Sequence, residues 1–264
     1  MELNLIVENI QVFLLIFVRV LGLVLIAPLI SSTSIPRIAR IGLAFFAAVA
    51  VLPWVLEAGY PIPENGLAYA ALVVGEALLG LIMGFYLVII YSAFLVAGQF
   101  FSLQMGFGAS QVFDPMAQVQ IPIMGQFLNI IAMFIFITIG GFQRIFLVGV
   151  IRSFQAARAV DLVTTKDYVL EMIIRSLGGL FEQALVIAFP ILGTLILVSV
   201  SMGLLAKAAP QMNLLMFGFP VAIGVAFLMI FLALPFIVEA FGRIIDLSFI
   251  KILEMLSHMK ETTG

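Results

Sequence analysis

The amino-acid sequence predicts an all-α membrane protein with about six hydrophobic helical segments. Of its 264 residues, 64% are hydrophobic and 10% are charged, whereas about 25% are charged in an ordinary soluble domain. The mean hydropathy is +1.28, so the polar residues are too few to cover a compact soluble body. Several stretches without charge also reach the length of about 20 residues that a membrane-spanning helix needs.

Six segments carry this apolar character along the chain. They lie near residues 10–30, 38–56, 67–97, 119–140, 177–205 and 212–238. Turn-forming residues at 31–36 and 59–66 predict loops between the first three segments. Glu2 and Glu8 make the start of the first segment acidic, unlike a secretion signal, so we expect it to belong to the mature structure.

The segment 98–118 separates the third and fourth apolar segments and is polar, almost uncharged and rich in glycine. This composition favours neither a regular helix nor a loop in water. Because backbone polar groups at membrane depth need hydrogen-bond partners, we expect protein to surround this segment or the segment to line a cavity. Met105 and Met116 are flexible apolar residues, and Gly106 and Gly108 allow the backbone to bend. An ordinary loop is the alternative interpretation.

The longest polar stretch runs from about residue 141 to residue 176 and has a helical pattern. Thr164 and Asp167 resemble a capping box. They would begin an amphipathic helix that leads into an apolar one. Glu171 and Arg175 have the i,i+4 spacing of a helical ion pair. The stretch therefore predicts a surface helix, which either docks a partner or only connects two spans.

Charged residues inside the apolar segments are costly in lipid, by about 2.5–3.5 kcal/mol at mid-membrane on insertion scales. For Arg19, in the middle of the first segment, we expect a buried partner or backbone carbonyls. Three carboxylates are expected at the membrane interface, near segment ends: Glu76, Glu182 and Glu239. Gly80 and Gly84 have the GxxxG spacing that permits two helices to approach closely.

Residue types also exclude most enzyme chemistry. The chain has no Cys and a single His, His258, which excludes disulfides, Cys/His metal sites and a Ser-His-Asp triad. Asp114 has no second acid or base near it in the sequence, as an intramembrane enzyme would require. A net charge of −2 does not favour nucleic acid as a partner. We therefore expect no metal, no cofactor and no catalytic residue.

A set of short motifs follows in a fixed order along nearly the whole chain. It comprises Arg19-x-x-Gly22, Ala27-Pro28, Ile35-Pro36, residues 75–85, residues 97–107, Phe113-Asp114-Pro115, residues 209–213 and Gly218-Phe219-Pro220. This ordered set resembles the FliR family of flagellar export-gate proteins and its counterparts in virulence-associated type III secretion. Lys207 stands where that family usually has an arginine.

The resemblance implies a FliP-like helical part over residues 1–176, which includes segment 98–118, and a FliQ-like hairpin with its tail over residues 177–264. One copy of such a chain would close a helical ring of FliP and FliQ in the bacterial inner membrane, at the flagellar basal body. Segment 98–118 would plug the channel until an unfolded export substrate passes. The hairpin turn would meet FlhB, and energy would come from an ATPase and from the proton motive force through FlhA.

The resemblance and the residue patterns together give two sets of site residues. The plug or constriction would comprise Met105, Gly106, Phe107, Gly108, Val112, Phe113, Asp114, Pro115 and Met116. Helix packing and partner contacts would involve Arg19, Gly75, Glu76, Gly80, Gly84, Lys207, Pro210, Gln211 and Asn213.

The main alternative is a self-contained secondary transporter or channel, in which Arg19 and Glu76 form part of a substrate path. Such a protein would work without partner subunits and usually has matching broken helices in its two halves. The break at 97–118 has no clear counterpart in the second half of the sequence, so the export gate is the favoured prediction.

Overall fold

The structure, a computed structural model, describes residues 2–32, 35–106, 123–211 and 213–261. Every regular element in these ranges is a helix. The elements are α1 (Glu2–Ile26), α2 (Arg37–Ala58), α3 (Gly66–Gln104), α4 (Ile123–Thr138), α5 (Gly141–Arg144), a π-helix (Ile145–Arg152), α6 (Ser153–Ala156), α7 (Asp161–Thr164), α8 (Lys166–Ala208) and α9 (Leu214–Glu261). The predicted all-α membrane class is confirmed.

Five of these helices, α1, α2, α3, α8 and α9, are long and apolar enough to cross a membrane. A sixth span results if α4 is combined with residues 141–156, which follow it after a bend of 69°. The bend lies at Gly140, whose φ of +71° is a left-handed conformation that glycine adopts without a steric penalty. The structure thus contains the six predicted apolar segments, one of them as a bent pair.

Two of the predicted segment ends were wrong, because the helices run further than the apolar stretches do. The third segment was expected to end at residue 97, yet α3 continues to Gln104, so the first part of segment 98–118 is helical. Ala97 and Phe101 are fully buried, and this packing continues the helix through a sequence of low helix propensity. Likewise α9 continues to Glu261 rather than ending near residue 238.

The amphipathic helix predicted to lead from Thr164 into the fifth apolar segment is confirmed, because α8 runs without a break from Lys166 to Ala208. The part of the polar stretch before it consists of shorter elements, namely α5, the π-helix, α6 and α7. The predicted capping box is absent from it, because the Thr164 hydroxyl donates instead to the Asp161 carbonyl oxygen, at 2.8 Å. The predicted ion pair between Glu171 and Arg175 is present at 2.6 Å, on the exposed face of α8.

The chain forms two compact units, which interleave along the sequence. Unit 1 contains residues 1–90, 137–176 and 245–264, and unit 2 contains residues 91–136 and 177–244. This division by packing differs from the division at residue 176 that the family resemblance implies, and the latter stays a prediction.

Each unit has its own core. In unit 1 the fully buried side chains include Ile16 and Leu23 of α1 and Leu79, Met83 and Tyr86 of α3. The core of unit 2 is aromatic and includes Phe94, Phe101, Phe136 and Phe241. In that core the rings of Phe94 and Phe241 lie 4.1 Å apart, and Tyr91 meets Phe94 and Phe136 edge to face. Aromatic pairs of this kind add to the stability that apolar burial provides.

Candidate functional site

A fully buried ion pair lies at the centre of unit 1. Arg19 of α1 and Glu76 of α3 are both 0% exposed, and the Nε of Arg19 donates to Oε2 of Glu76. The remaining guanidinium nitrogens also have acceptors: Nη1 donates to the Ser153 hydroxyl at 3.1 Å, and Nη2 donates to the Ala157 carbonyl oxygen at 2.9 Å. The Arg19 guanidinium carbon lies 3.8 Å from the centre of the Phe154 ring, a cation–π contact.

The carboxylate of Glu76 has three donors. Besides Arg19 at Oε2, its Oε1 accepts the Tyr60 hydroxyl and the backbone N–H of Ala159, the latter at 3.1 Å. A buried ion pair is tolerable only when further hydrogen bonds satisfy both charges, and here they do. We call Arg19, Glu76, Tyr60, Ser153, Ala157 and Ala159 the Arg19–Glu76 network.

The Arg19–Glu76 network shows that the prediction for Glu76 was wrong and that the prediction for Arg19 was right. Glu76 was expected at the membrane interface, but it is buried, because Arg19 and two neutral donors replace the water that an interface would supply. For Arg19 we expected a buried partner or backbone carbonyls, and it has both. Glu182 and Glu239 are exposed, as the interface prediction requires.

Tyr60 belongs to the loop between α2 and α3, outside both spans. Burial raises the pKa of the Tyr60 phenol above its usual value, and the nearby Glu76 carboxylate raises it further. The phenol therefore stays protonated at neutral pH, as its role of donor to Glu76 requires.

Glycines allow α3 to lie directly against its neighbours in unit 1. A Cβ at Gly80 would collide with the Arg19 carbonyl oxygen, and one at Gly84 would lie 3.0 Å from the Leu23 carbonyl oxygen. A Cβ at Gly75 would lie 2.7 Å from the Cβ of Ala159. The close approach of α1 and α3 brings Arg19 and Glu76 within hydrogen-bond distance of each other.

The start of the predicted plug belongs to unit 2, where the end of α3 contacts two other helices. Gln104 donates through Nε2 to the Ser199 hydroxyl of α8 at 3.0 Å. Met105 is fully buried, and Gly106 has a φ of +91°. A Cβ at Gly106 would collide with the Phe219 ring of α9, so both the conformation and the close contact require glycine.

The other predicted plug residues lie outside the described residues. They are Phe107, Gly108, Val112, Phe113, Asp114, Pro115 and Met116.

The predicted partner-contact residues of the second half lie at the turn between α8 and α9. Lys207 is the last charged residue of α8, and Pro210 and Gln211 form the turn. The side-chain oxygen of Asn213 accepts the backbone N–H of Met216 at 3.3 Å, which caps the start of α9. All four side chains are exposed.

Unit 2 exposes much of its apolar surface on α8 and α9. Phe189 and Leu197 of α8 are each 67% exposed, and Phe231 and Phe236 of α9 are 74% and 75% exposed. Several glycines on these helices have no atom within 4 Å of the place where a Cβ would lie: Gly178, Gly179, Gly193, Gly203 and Gly224. Such a surface requires lipid or other apolar helices around it.

Sequence reasoning missed Tyr60, Ser153 and Phe219. Tyr60 lies 16 residues from Glu76, and Ser153 lies 134 residues from Arg19, so no local pattern connects them with these partners. Phe219 belongs to the Gly218-Phe219-Pro220 motif, but only the structure shows its ring against Gly106. In the part of the chain that the structure describes, no group of three or more His, Cys, Asp or Glu residues could hold a metal ion.

Comparisons with known proteins point to one family. Residues 10–248 match the family model described as bacterial export proteins, family 1. The chain is 33% identical to the flagellar biosynthetic protein FliR of Borreliella burgdorferi over 190 residues, 72% of this chain and 70% of that protein. It is 29% identical to FliR of Bacillus subtilis over 93% of this chain and 94% of that protein. For FliR of Escherichia coli the identity is 24%, over 87% and 88%.

Proposed function

The chain belongs to the bacterial export proteins of family 1, and we propose that it is a structural and gating subunit of a flagellar type III protein-export gate. In this proposal it lies in the bacterial inner membrane at the flagellar basal body. It forms the helical export channel with FliP and FliQ, and segment 98–118 plugs that channel until an unfolded substrate passes. The proposal includes no catalytic step and no cofactor.

The exposed apolar surface of unit 2 is the observation that carries the proposal. The large exposed side chains on α8 and α9, such as Leu197 and Phe231, are more than a self-contained bundle leaves uncovered in water. Gly193 and Gly203 have open space where a Cβ would lie, which would let partner helices approach closely. We propose that FliP and FliQ helices cover this surface, with membrane lipid covering the remainder.

The end of α3 supports the plug assignment. Segment 98–118 begins within α3, and its described part ends at Gly106. The Gly106 N–H donates to the Leu103 carbonyl oxygen at 3.1 Å. On its other side Gly106 lies against the Phe219 ring. Met105 is fully buried beside it. A plug needs such a fixed base, because a segment that moved freely at its root would not close a channel.

The exposed turn between α8 and α9 is the proposed contact for FlhB. Lys207, Pro210 and Gln211 are all exposed, so their side chains are accessible to a partner. FlhA is the proposed link to the proton motive force. Site-specific cross-linking from Gln211 should capture FlhB, and a position on the opposite face of unit 2 serves as the control.

The first test is native mass spectrometry of the complex purified through a tag on this chain, after co-expression with FliP and FliQ of the same organism. We expect a discrete assembly with one copy of this chain and several copies of each partner. A lone monomer or a homo-oligomer, despite well-expressed partners, would favour the alternative of a self-contained transporter, and uptake assays would then follow.

The second test addresses the plug. Deletion of residues 106–115 should make the assembled gate leak ions or small molecules, measured by dye release from vesicles that contain the complex. Phe219→Ala, which removes the ring against Gly106, should cause a smaller leak. Phe46→Ala is the control, because that ring is 72% exposed and lies on α2 in unit 1, outside both the proposed plug and the proposed partner surface. An assembled deletion variant with unchanged permeability would contradict the plug assignment.

A further inference from the structure

Residues Ile145–Arg152 of unit 1 form a π-helix between two short α-helices, α5 and α6. A π-helix closes its backbone hydrogen bonds from residue i to residue i+5, so it has more residues in each turn than the 3.6 of an α-helix. This winding is rare, and where it occurs it is frequently at a functional site. It decides which side chains of the segment face the remainder of unit 1.

The burial of the side chains follows the π winding. Residues five positions apart have the same exposure throughout the helix: Ile145 and Val150 are buried, Phe146 and Ile151 are half-buried, Leu147 and Arg152 are exposed, and Val148 and Ser153 are buried. Gly149 lies on the buried side, where a Cβ would be 2.7 Å from Cδ2 of Leu23. The buried face of the π-helix thus packs against α1.

An α-helix of the same residues would present a different face. In an α-helix, residues at positions i, i+3, i+4 and i+7 share one side. Counted from Ile145, these are Val148, Gly149 and Arg152. Arg152 would therefore join the face that packs against α1, and Val150 would leave it. Because a buried charge without a partner is costly, the charge of Arg152 opposes the α-helical winding.

The end of the π-helix also contributes to the Arg19–Glu76 network. The Ser153 hydroxyl accepts from Nη1 of Arg19 at 3.1 Å and donates to the Val150 carbonyl oxygen at 2.8 Å. The Ala157 carbonyl oxygen and the Ala159 N–H bind the arginine and the glutamate of the network. A change from π to α winding would turn all three residues about the helix axis and break these contacts. The network is therefore a second constraint on the winding.

We propose that residues 145–152 are a two-state element that controls the Arg19–Glu76 network. In the π state, Arg152 faces outward and Ser153 contacts Arg19. In the α state, which has the commoner winding, Arg152 turns toward α1 and the segment 153–159 rotates away from the network. Neutralising Arg152 or opening the network shifts the population toward the α state.

This inference concerns unit 1 alone and goes beyond the proposed export function. It is tested on the isolated chain, so its failure would leave the assignment to the export gate unchanged, and a failure of that assignment would leave the two-state element standing.

Distances between two spin labels can follow the winding, since the chain has no Cys and introduced cysteines are the only labelling sites. The reporting pair is Ile38→Cys with Gln155→Cys, which joins the start of α2 to the residue after the π-helix. The reference pair is Ile38→Cys with Gln143→Cys, because residue 143 precedes the π-helix. All three side chains are exposed. Pulsed electron paramagnetic resonance of the purified chain in neutral detergent should give one distance for each pair.

Arg152→Leu removes the charge that opposes the α winding. In this variant the 38–155 pair should show a second distance that differs by several Å, up to about the 10–12 Å diameter of a helix with its side chains. The 38–143 pair should keep its single distance. Arg152→Lys retains the charge and should behave like the unsubstituted chain. Arg158→Leu is the matched control, because it also removes an exposed arginine but lies beyond the π-helix.

Deletion of Leu147 provides a second measurement that does not depend on Arg152→Leu. With one residue fewer, Val150 and Ser153 are four and seven positions after Ile145, so an α-helix carries all three on one face. This variant should fold with the network intact and with an unchanged 38–155 distance. Adding Arg152→Leu to the deletion should then produce no second distance, because the α-helix already has its correct face buried.

Three outcomes would overturn the proposal. The first is a single, unchanged 38–155 distance in Arg152→Leu. The second is an equal shift of both pairs, because the helix would then move as a rigid body. The third is a Leu147 deletion that fails to fold, as judged by gel filtration and circular dichroism, or that changes the 38–155 distance. If Arg152→Leu itself does not fold, the deletion variant decides.

Discussion

An Arg–Glu pair of unit 1 and one of unit 2 differ sharply in burial, although unit 1 also has an exposed pair, Glu171 with Arg175. In unit 1, Arg19 and Glu76 are both 0% exposed and join residues 57 positions apart. In unit 2, Arg243 and Glu239 are 70% and 68% exposed and lie one helical turn apart on α9. The first pair and its hydrogen bonds join α1, α3 and the segment 153–157. The second pair lies on the exposed surface of one helix and joins no other segment to it.

Two groups of helix glycines differ in the same way. Gly80 and Gly84 of α3 in unit 1 lie against backbone atoms of α1. Those of α8 and α9 in unit 2, such as Gly193, have open space around them. The contact between α1 and α3 in unit 1 is therefore complete within the chain, whereas α8 and α9 of unit 2 present a surface for lipid or other subunits.

The largest expected effect is that of Glu76→Ala, which leaves the Arg19 charge buried without its counter-ion. Removing one partner of a buried pair costs about 3–5 kcal/mol. The purified chain should unfold at a clearly lower denaturant concentration, measured by circular dichroism in detergent. Unchanged stability would mean that the Arg19–Glu76 network does not hold unit 1 together.

The double variant Arg19→Met with Glu76→Leu is the control for this prediction. It removes both charges, so we expect it to be more stable than Glu76→Ala. It should still fall short of the unsubstituted chain, because the Tyr60 hydroxyl and the Ala159 N–H lose their acceptor.

The next effect compares two glycines. In Gly80→Ala the new Cβ collides with the Arg19 carbonyl oxygen, and overpacking of this kind costs about 1–3 kcal/mol. In Gly193→Ala the Cβ meets no atom within 4 Å, so the isolated chain should be as stable as before or slightly more, since alanine favours helix. Thermal unfolding of the two purified variants gives the comparison.

Gly193→Ala also tests the proposed partner surface. If FliP or FliQ helices pack against that glycine, the variant should assemble less well although it folds normally. Equal losses of stability in Gly80→Ala and Gly193→Ala would remove the distinction between the two units.

A smaller effect concerns Tyr60 and alkaline pH. The pKa of its phenol is raised in the folded chain, by burial first and by Glu76 second. The stability that the protonated Tyr60 phenol contributes is therefore fully present below the ordinary tyrosine pKa of 10.0. It is lost as the pH rises from there toward the pKa of Tyr60 in the folded chain. The free energy of unfolding should fall by about 1 kcal/mol per pH unit above that point.

Tyr60→Phe separates this effect from the titration of lysines. The variant lacks the hydroxyl that donates to Glu76, so it should be less stable than the unsubstituted chain at pH 8. Its stability should then fall less steeply above pH 10.0. Parallel curves for the two chains in denaturant titrations would contradict the assignment.

The sequence was sufficient for the fold class because the apolar segments are long and the charges few. Periodicity and composition act locally along a helix, so the six segments could be read directly. It was also sufficient to single out Arg19, since a charge in the middle of an apolar segment requires a partner. Gly80 and Gly84 could be recognised from their spacing alone.

The side chains that Arg19 and Glu76 contact could not be predicted from the sequence in the same way. Glu76 lies near the start of an apolar segment, where an interfacial carboxylate is the ordinary case, and nothing local shows that Tyr60 and Ala159 approach it. The end of α3 was missed for a similar reason, because its helical state depends on the burial of Phe101 and on Gln104 contacting Ser199. Tertiary contacts overrode local propensity at both places.

The smallest expected effect completes the comparison of the two ion pairs. Glu239→Gln removes the charge of a pair that water already solvates, and exposed i,i+4 pairs contribute about 0.3–0.5 kcal/mol. The stability of the isolated chain should therefore change by no more than that, and the change should disappear at high salt, because exposed charges are screened. A loss as large as that of Glu76→Ala would mean that Glu239 has a buried role in the folded chain. A loss that appears only in the assembled complex would mean that a partner subunit covers this face of α9.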